Sequence, residues 1–199
     1  SNPISSEMSH LRNSLLPGLL NAVAKNEKRQ QSCFKLIEIG QVHARVEKVE
    51  ATSVENTNFG LIWYDSENPH WRTINKLDVY NAKKDLYMVL SKMGCYHLKE
   101  KEVKYPGFSL SIEIKNKKSK IGILGIISDK ISKIFNIDNQ VIAFEGNLQK
   151  IRSIYENKTI KYHPVSLYPS VTRDIAIMVN TNVQFIDLKS TIKQVSGEI

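Results

Sequence analysis

The chain has 199 residues, 41% of them hydrophobic and 24% charged, with 9 Gly and 6 Pro. That suits one globular domain, or one and part of a second, and excludes disordered and collagen-like classes. Its longest apolar or glycine run, residues 121–127, is far short of the about 20 residues that a membrane-spanning helix needs. Residues 1–7 lack the basic start and apolar stretch of a signal peptide, so a cytoplasmic location without membrane contact is expected.

Residues 14–29 carry Leu15, Leu19 and Val23 at four-residue steps, with Leu16 and Leu20 beside them, which predicts a helix with a broad apolar face. Ser14 is its expected N-cap, and Pro17 falls in the first turn, where no helical hydrogen bond is lost. That face must be buried against a core sheet or a neighbouring subunit, and the sequence leaves both open. Residues 34–40 and 59–64 are apolar runs of strand length separated by a polar stretch. A second helix is predicted over 78–93, with Val79, Ala82, Leu86, Val89, Leu90 and Met93 at helical spacing and Gly94 at the stop.

Phe108, Leu110, Ile112 and Ile114 alternate as a half-buried strand does. Residues 116–119 turn the chain into 121–127, whose apolar character on both faces places it inside a sheet. A short helix capped by Ser128 and ending at Phe135, a strand over 141–146 and a helical turn over 148–155 follow. Hairpin-length connections between strands, with helices flanking them, predict an α+β fold built on an antiparallel sheet. Residues 157–169 are polar and proline-containing, which marks a boundary. Beyond it, a strand over 174–179 and a helix over 185–195 are too little to bury a core of their own.

Little in the chain resembles a catalytic motif. There is no phosphate-cradling glycine loop or nucleophile elbow, and the histidines at 10, 43, 70, 97 and 163 are scattered. Cys33 and Cys95 have no partner at metal-ligand spacing, so two small core thiols are expected. Glu38 interrupts an apolar strand and needs a partner, for which a structural hydrogen bond or ion pair is expected. Asp78, Asp85 and Glu113 show no pairing that argues for acid–base chemistry. Lys and Arg outnumber Asp and Glu by 28 to 20, a net charge of +8. The excess is densest at Lys101, Lys104, Lys115, Lys117, Lys118 and Lys120, which form either a polyanion-attracting surface or a solvated hairpin.

Four segments, in order, carry a family resemblance. Residues 2–20 open Asn2-Pro3-Ile4-Ser5-Ser6-Glu7-Met8-Ser9 and close Leu15-Leu16-Pro17-Gly18-Leu19-Leu20; with residues 34–42, 78–90 and Tyr168-Pro169-Ser170-Val171-Thr172-Arg173-Asp174-Ile175-Ala176, they resemble the beta subunit of phenylalanyl-tRNA synthetase. Lys84, where that family commonly has glycine, and Gly146, where it has an apolar residue, depart from the pattern.

The resemblance implies a class II synthetase-like core over 1–160 that keeps the architecture without the active site. It also implies, over 161–199, the first strand and helix of a ferredoxin-like anticodon-binding domain. Class II enzymes hold ATP with a Gly-x-Gly-x-Gly-x-x-Arg junction; counting back from Arg152, Glu145, Asn147 and Gln149 stand at the glycine positions, where their side chains obstruct a nucleotide. Arg45, followed by Val46 and Glu47, is a partial match to the other class II arginine motif.

The function implied is that of a non-catalytic partner in phenylalanine-tRNA ligase, a heterotetramer with the alpha subunit and a second beta subunit, acting on tRNA(Phe). ATP and magnesium are implied for the whole enzyme, and no metal, nucleotide or phenylalanine is expected in this chain. Leu15, Leu16, Leu19 and Leu20 are the candidate interface residues, and Lys117, Lys118, Lys120, Lys161 and Arg173 the candidate tRNA-facing ones. Two alternatives are a self-contained ligase-like enzyme using Arg45 and Arg152, and a general basic RNA-binding module.

Overall fold

A computed structural model describes residues 11–45, 53–65, 78–116, 119–156, 169, 171–172 and 174–196. The chain divides into two compact units, residues 1–159 and 160–199. In the first, the element order is α1 (Leu16–Lys28), β1 (Cys33–Arg45), β2 (Ser53–Asp65), α2 (Val79–Lys92), β3 (Leu98–Glu102), β4 (Phe108–Asn116), β5 (Ser119–Ile127), α3 (Asp129–Ile134), β6 (Val141–Asn147) and α4 (Leu148–Glu156). The strands form one sheet of order β1-β2-β6-β5-β4-β3. Every neighbouring pair is antiparallel.

The sheet separates two apolar cores. On one face Leu15, Leu19, Leu20 and Val23 of the first helical region pack with Val42, Ile62, Tyr64, Val141 and Ala143. On the other, Ala82, Leu86 and Leu90 of α2 and Ile151 of α4 pack with Phe59, Leu61, Trp63, Leu124, Ile142 and Phe144. Burying each such Leu, Ile or Phe side chain contributes about 1.5–3 kcal/mol relative to leaving it exposed. The α1 contact is close because Gly60 lies beneath it: a Cβ there would stand 2.8 Å from Leu19 Cδ1. Gly94 ends α2 with φ +81°, a conformation that only glycine adopts freely.

The expected helices and core strands are present, with instructive differences. β1 and β2 extend through the polar stretch to Arg45 and from Ser53, because as a two-stranded ribbon they satisfy each other's backbone groups without needing apolar side chains. β3 is an additional strand, Leu-Lys-Glu-Lys-Glu, with no apolar alternation to announce it; its pairing with β4 carries it at the sheet edge. A bulge between Phe108 and Leu110 breaks the expected alternation. It turns Phe108 to the α1-side core, while Leu110 and Ile112 line a groove with Val79 and Tyr80 of α2.

Ser14 precedes the N-cap, which is Leu15, and its Oγ accepts from Leu16 N at 3.1 Å. Ser128 is the N-cap of α3, but its side chain makes no capping bond. Asp78 caps α2 by accepting from Asn81 N at 2.7 Å. Glu38 has its ion pair, 2.6 Å from the guanidinium of Arg12. Cys95 is buried and free, whereas Cys33 is exposed at the start of β1 rather than in the core.

In the second unit α5 (Phe185–Ser196) is the expected helix. Residues 174–179, expected as a strand, run without one: no described residue pairs with them, so their apolar side chains meet no ladder. Ile175, Met178 and Phe185 are exposed.

Both ends of α1 are tied by polar contacts. At its C-terminal end the Glu27 carboxylate accepts from Tyr64 Oη at 2.5 Å, from Asn139 Nδ2 at 2.9 Å and from Asp138 N at 3.2 Å. Burial acts to raise the Glu27 pKa, but the bonds from Tyr64, Asn139 and the 138–139 backbone together outweigh it and hold the carboxyl below its ordinary 4.5. A carboxyl depressed on folding contributes stability that is full above 4.5 and is lost as pH falls through its folded value. Urea unfolding between pH 7 and pH 3 should therefore show wild type losing stability on acidification, and Glu27→Gln losing less over that interval.

Candidate functional site

The sheet face that carries α1 opens beside it into a cavity of about 560 Å³. Its walls are Leu16, Pro17 and Leu20 from α1, Ile123 and Ile127 from β5, Ile131 and Phe135 around α3, and Phe108 at the start of β4. Its polar side is made by Asn13, Ser14, Asn58, Glu145, Asn147, Lys120 and Lys150. The antiparallel pairings β2·β6 and β5·β6 bring these residues together, with Asn58 opposite Asn147 and Ile123 opposite Glu145.

Glu145 dominates the polar side. Its Oε1 accepts from Leu15 N at 3.0 Å and from Asn58 Nδ2 at 2.7 Å, and its Oε2 accepts from Ser14 Oγ at 2.5 Å. A half-buried carboxylate requires such donors, since leaving it unpaired costs far more than the bonds return in water. Asn147 Oδ1 accepts from Lys150 N at 2.9 Å at the start of α4, and its Nδ2 donates to Asn56 at 3.2 Å. Two of the three residues at the glycine positions, Glu145 and Asn147, are thus committed to internal bonds. Gln149 is on the exposed side of α4, as is Arg152, which does not line the cavity.

The candidate interface leucines are placed inward. Leu15, Leu19 and Leu20 are fully or almost fully buried in the chain's own core, and Leu16 is half-buried at the cavity. Most of the apolar stripe is therefore packed on the chain's own sheet, and Leu16 is the member that keeps surface, at the cavity. What β1 does expose is Ile37 and Ile39, at 63% and 59%. They pair with Leu61 and Phe59, so they share the α2-side face on β1, an edge strand of the sheet.

Among the candidate tRNA-facing residues only Lys120 falls on described positions; Lys117, Lys118, Lys161 and Arg173 lie outside them. Lys120 Nζ is 3.3 Å from Glu113 and 5.3 Å from the Tyr105 ring centroid. Lys115, 2.6 Å away, is the main cause of a Glu113 carboxyl held below the usual range; burial opposes it, and Lys120 adds to the lowering. Arg45 ends β1 opposite Ser53, and its side chain lies outside the described residues, as do Val46 and Glu47. Ser14 and Asn58 carry no sequence mark as partners of Glu145, and the one local signal is a lone carboxylate in an otherwise apolar strand.

The six-stranded antiparallel sheet with α1 on one face and α2 and α4 on the other is the fold of a class II-like aminoacyl-tRNA synthetase core. The structure is similar to pyrrolysyl-tRNA synthetase from Desulfitobacterium hafniense, with a TM-score of 0.57 at 13% identity over 73% of this chain and 50% of that one. A family model described as the phenylalanyl tRNA synthetase beta chain CLM domain matches residues 1–148, and the chain belongs to that family. Its curated relatives include the phenylalanine-tRNA ligase beta subunits of Legionella pneumophila strain Paris, 29% identical over 99% of this chain, and of Buchnera aphidicola from Schizaphis graminum, 32% identical over 97%. The chain spans about a quarter of the length of these relatives, 25% and 24% respectively. No helix among the described residues is long and apolar enough to cross a membrane.

Converting a donor on Glu145 into a second carboxylate tests the geometry directly. Asn58→Asp should lower stability by about 1–3 kcal/mol more than Asn58→Ala, because it sets like charges at hydrogen-bond distance where Ala only removes a bond. Chemical unfolding of the two variants side by side reads the difference.

Proposed function

We propose that this chain is a non-catalytic part of phenylalanine-tRNA ligase, supporting the attachment of phenylalanine to tRNA(Phe) in the cytoplasm as scaffold for the alpha subunit. One observation carries the reading. At the position where the class II resemblance puts the first glycine of the nucleotide-binding junction stands Glu145, a carboxylate bonded to Ser14, Leu15 and Asn58. A carboxylate there repels ATP phosphates, and its donors are consumed. ATP and magnesium then belong to the alpha subunit's site, and the arrangement disfavours a self-contained ligase using Arg45 and Arg152.

The surface proposed for the alpha subunit is the free edge of β1 with Ile37 and Ile39, large apolar side chains that a lone sheet edge leaves in water. The basic excess, +8 over the whole chain, is the proposed means of tRNA contact, with Lys117, Lys118, Lys120, Lys161 and Arg173 as its candidates. Residues 161–199 are proposed to be the start of the ferredoxin-like anticodon-binding domain, joined to the synthetase-like core over 1–160. The second beta subunit of the heterotetramer is a proposed partner on the same grounds.

Co-expression with the matching alpha subunit, followed by mass determination, should give a stable complex. Ile37→Lys with Ile39→Lys should weaken that complex by about 10-fold or more while leaving the fold intact, because both positions are exposed in the chain alone. A chain that stays apart from the alpha subunit and exchanges pyrophosphate into ATP by itself would overturn the reading.

A further inference from the structure

The Glu145 cluster has the composition of a receptor and its ligand rather than of an ordinary ion pair. Among the described residues no cation pairs with it: the three donors are a hydroxyl, a backbone amide and a side-chain amide. Ser14 and Leu15 enter from the segment leading into α1, Asn58 from β2, and the acceptor from β6, 130 residues from Leu15 in sequence. Both carboxylate oxygens are engaged, one by two donors, which is the arrangement by which neutral donors hold a free carboxylate. The cluster borders the cavity of about 560 Å³, a volume several times that of a two-carbon acid. Removing the Glu145 side chain would therefore leave the donors facing a space that a small molecule can enter.

We propose that Glu145 is an internal ligand: its carboxylate fills a carboxylate-binding site made by Ser14, Leu15 and Asn58, and that site takes up a free small monocarboxylate once the side chain is removed. In the wild-type chain the site is occupied in every molecule, because the ligand is tethered to β6. Its occupancy holds the start of α1 on the sheet, so filling the vacated site from solution restores the same bonds and stabilises the folded state.

The test is chemical rescue. Thermal unfolding of wild type, Glu145→Ala and Glu145→Ala/Asn58→Leu is followed in sodium acetate against sodium chloride at equal ionic strength. The single variant should melt below wild type in chloride and gain melting temperature with acetate along a saturating curve, whereas wild type should gain nothing beyond the chloride control. The double variant should bind acetate about 10-fold or more weakly, the loss of one charge-assisted hydrogen bond. If Glu145→Ala does not stay folded in chloride, its refolding yield in acetate against chloride replaces the melting curve.

An acetate response in the single variant no larger than in wild type, by melting or by refolding yield, overturns the proposal. So does a double variant that responds as strongly as the single one. The measurement involves no alpha subunit, nucleotide or tRNA, so its failure is distinct from a failure of the proposed function, on which it rests only for the description of the cavity as a site without a substrate.

Discussion

Everything on the cavity side of the sheet depends on how the first helix is fixed to it. Helix α1 crosses the sheet over Gly60, close enough that a single added carbon would strike Leu19. Apolar burial supplies the attraction but sets no register along the helix axis, since leucines at 15, 19 and 20 could slide over a flat apolar surface. The register comes from polar contacts at the two ends: Glu145 of β6 at Leu15, and Glu27 of the helix itself at Tyr64 of β2 and the 138–139 turn. Directional bonds at two ends of a helix of 13 residues leave it one position. The cavity wall is then as rigid as the two locks, because Leu16, Pro17 and Leu20 belong to the same helix.

The sequence pattern announced most of the scaffold because most of it is set locally. The helical spacing of Leu15, Leu19 and Val23, the Asp78 cap and the Gly94 stop are instructions that a short stretch of chain carries for itself. Residues 121–127 were recognisable as interior for the same reason: apolar side chains on both faces can be satisfied only between two other strands, and β5 lies between β4 and β6. The polar ends of the β1–β2 ribbon and the charged edge strand β3 follow a different rule. Their side chains look like loop, and their strand character comes from backbone groups on a partner strand that a local pattern does not reveal. The bulge after Phe108 is of the same kind, since the alternating residues read as one face and the extra residue moved Phe108 to the other.

The site divides along the same line. Glu145 was identifiable as an obstruction from its spacing to Arg152, a matter of counting along one segment. Its bonds were not identifiable, because Asn58 is 87 residues away and Ser14 is 131 away, and nothing in either residue's surroundings marks it as a donor to this carboxylate. The leucine face illustrates the converse: its existence was plain, but whether sheet or subunit covered it depended on where β2 and β6 lie in space. With most of that face packed in the core, Ile37 and Ile39 are among the large apolar side chains left exposed, and they are the ones proposed to meet a partner.

A nucleotide site and a helix lock place opposite demands on the same donors. A site that turns over must leave its hydrogen-bond donors to water or weak contacts between ligands, so that a phosphate or carboxylate gains by arriving and can later leave. A lock needs those donors satisfied continuously, by a group whose effective concentration never falls. Glu145 meets the second demand and thereby fails the first: the bonds that fix the cavity wall are the ones an incoming anion would have to break, against a tethered competitor of the same charge. In the proposed scaffold this is an advantage, because a subunit whose surface must meet a partner in one geometry gains from a core with no ligand-dependent states. In that proposed role the synthetase-like sheet serves by its shape, and the bonds of the carboxylate at 145 make the cavity wall part of the frame.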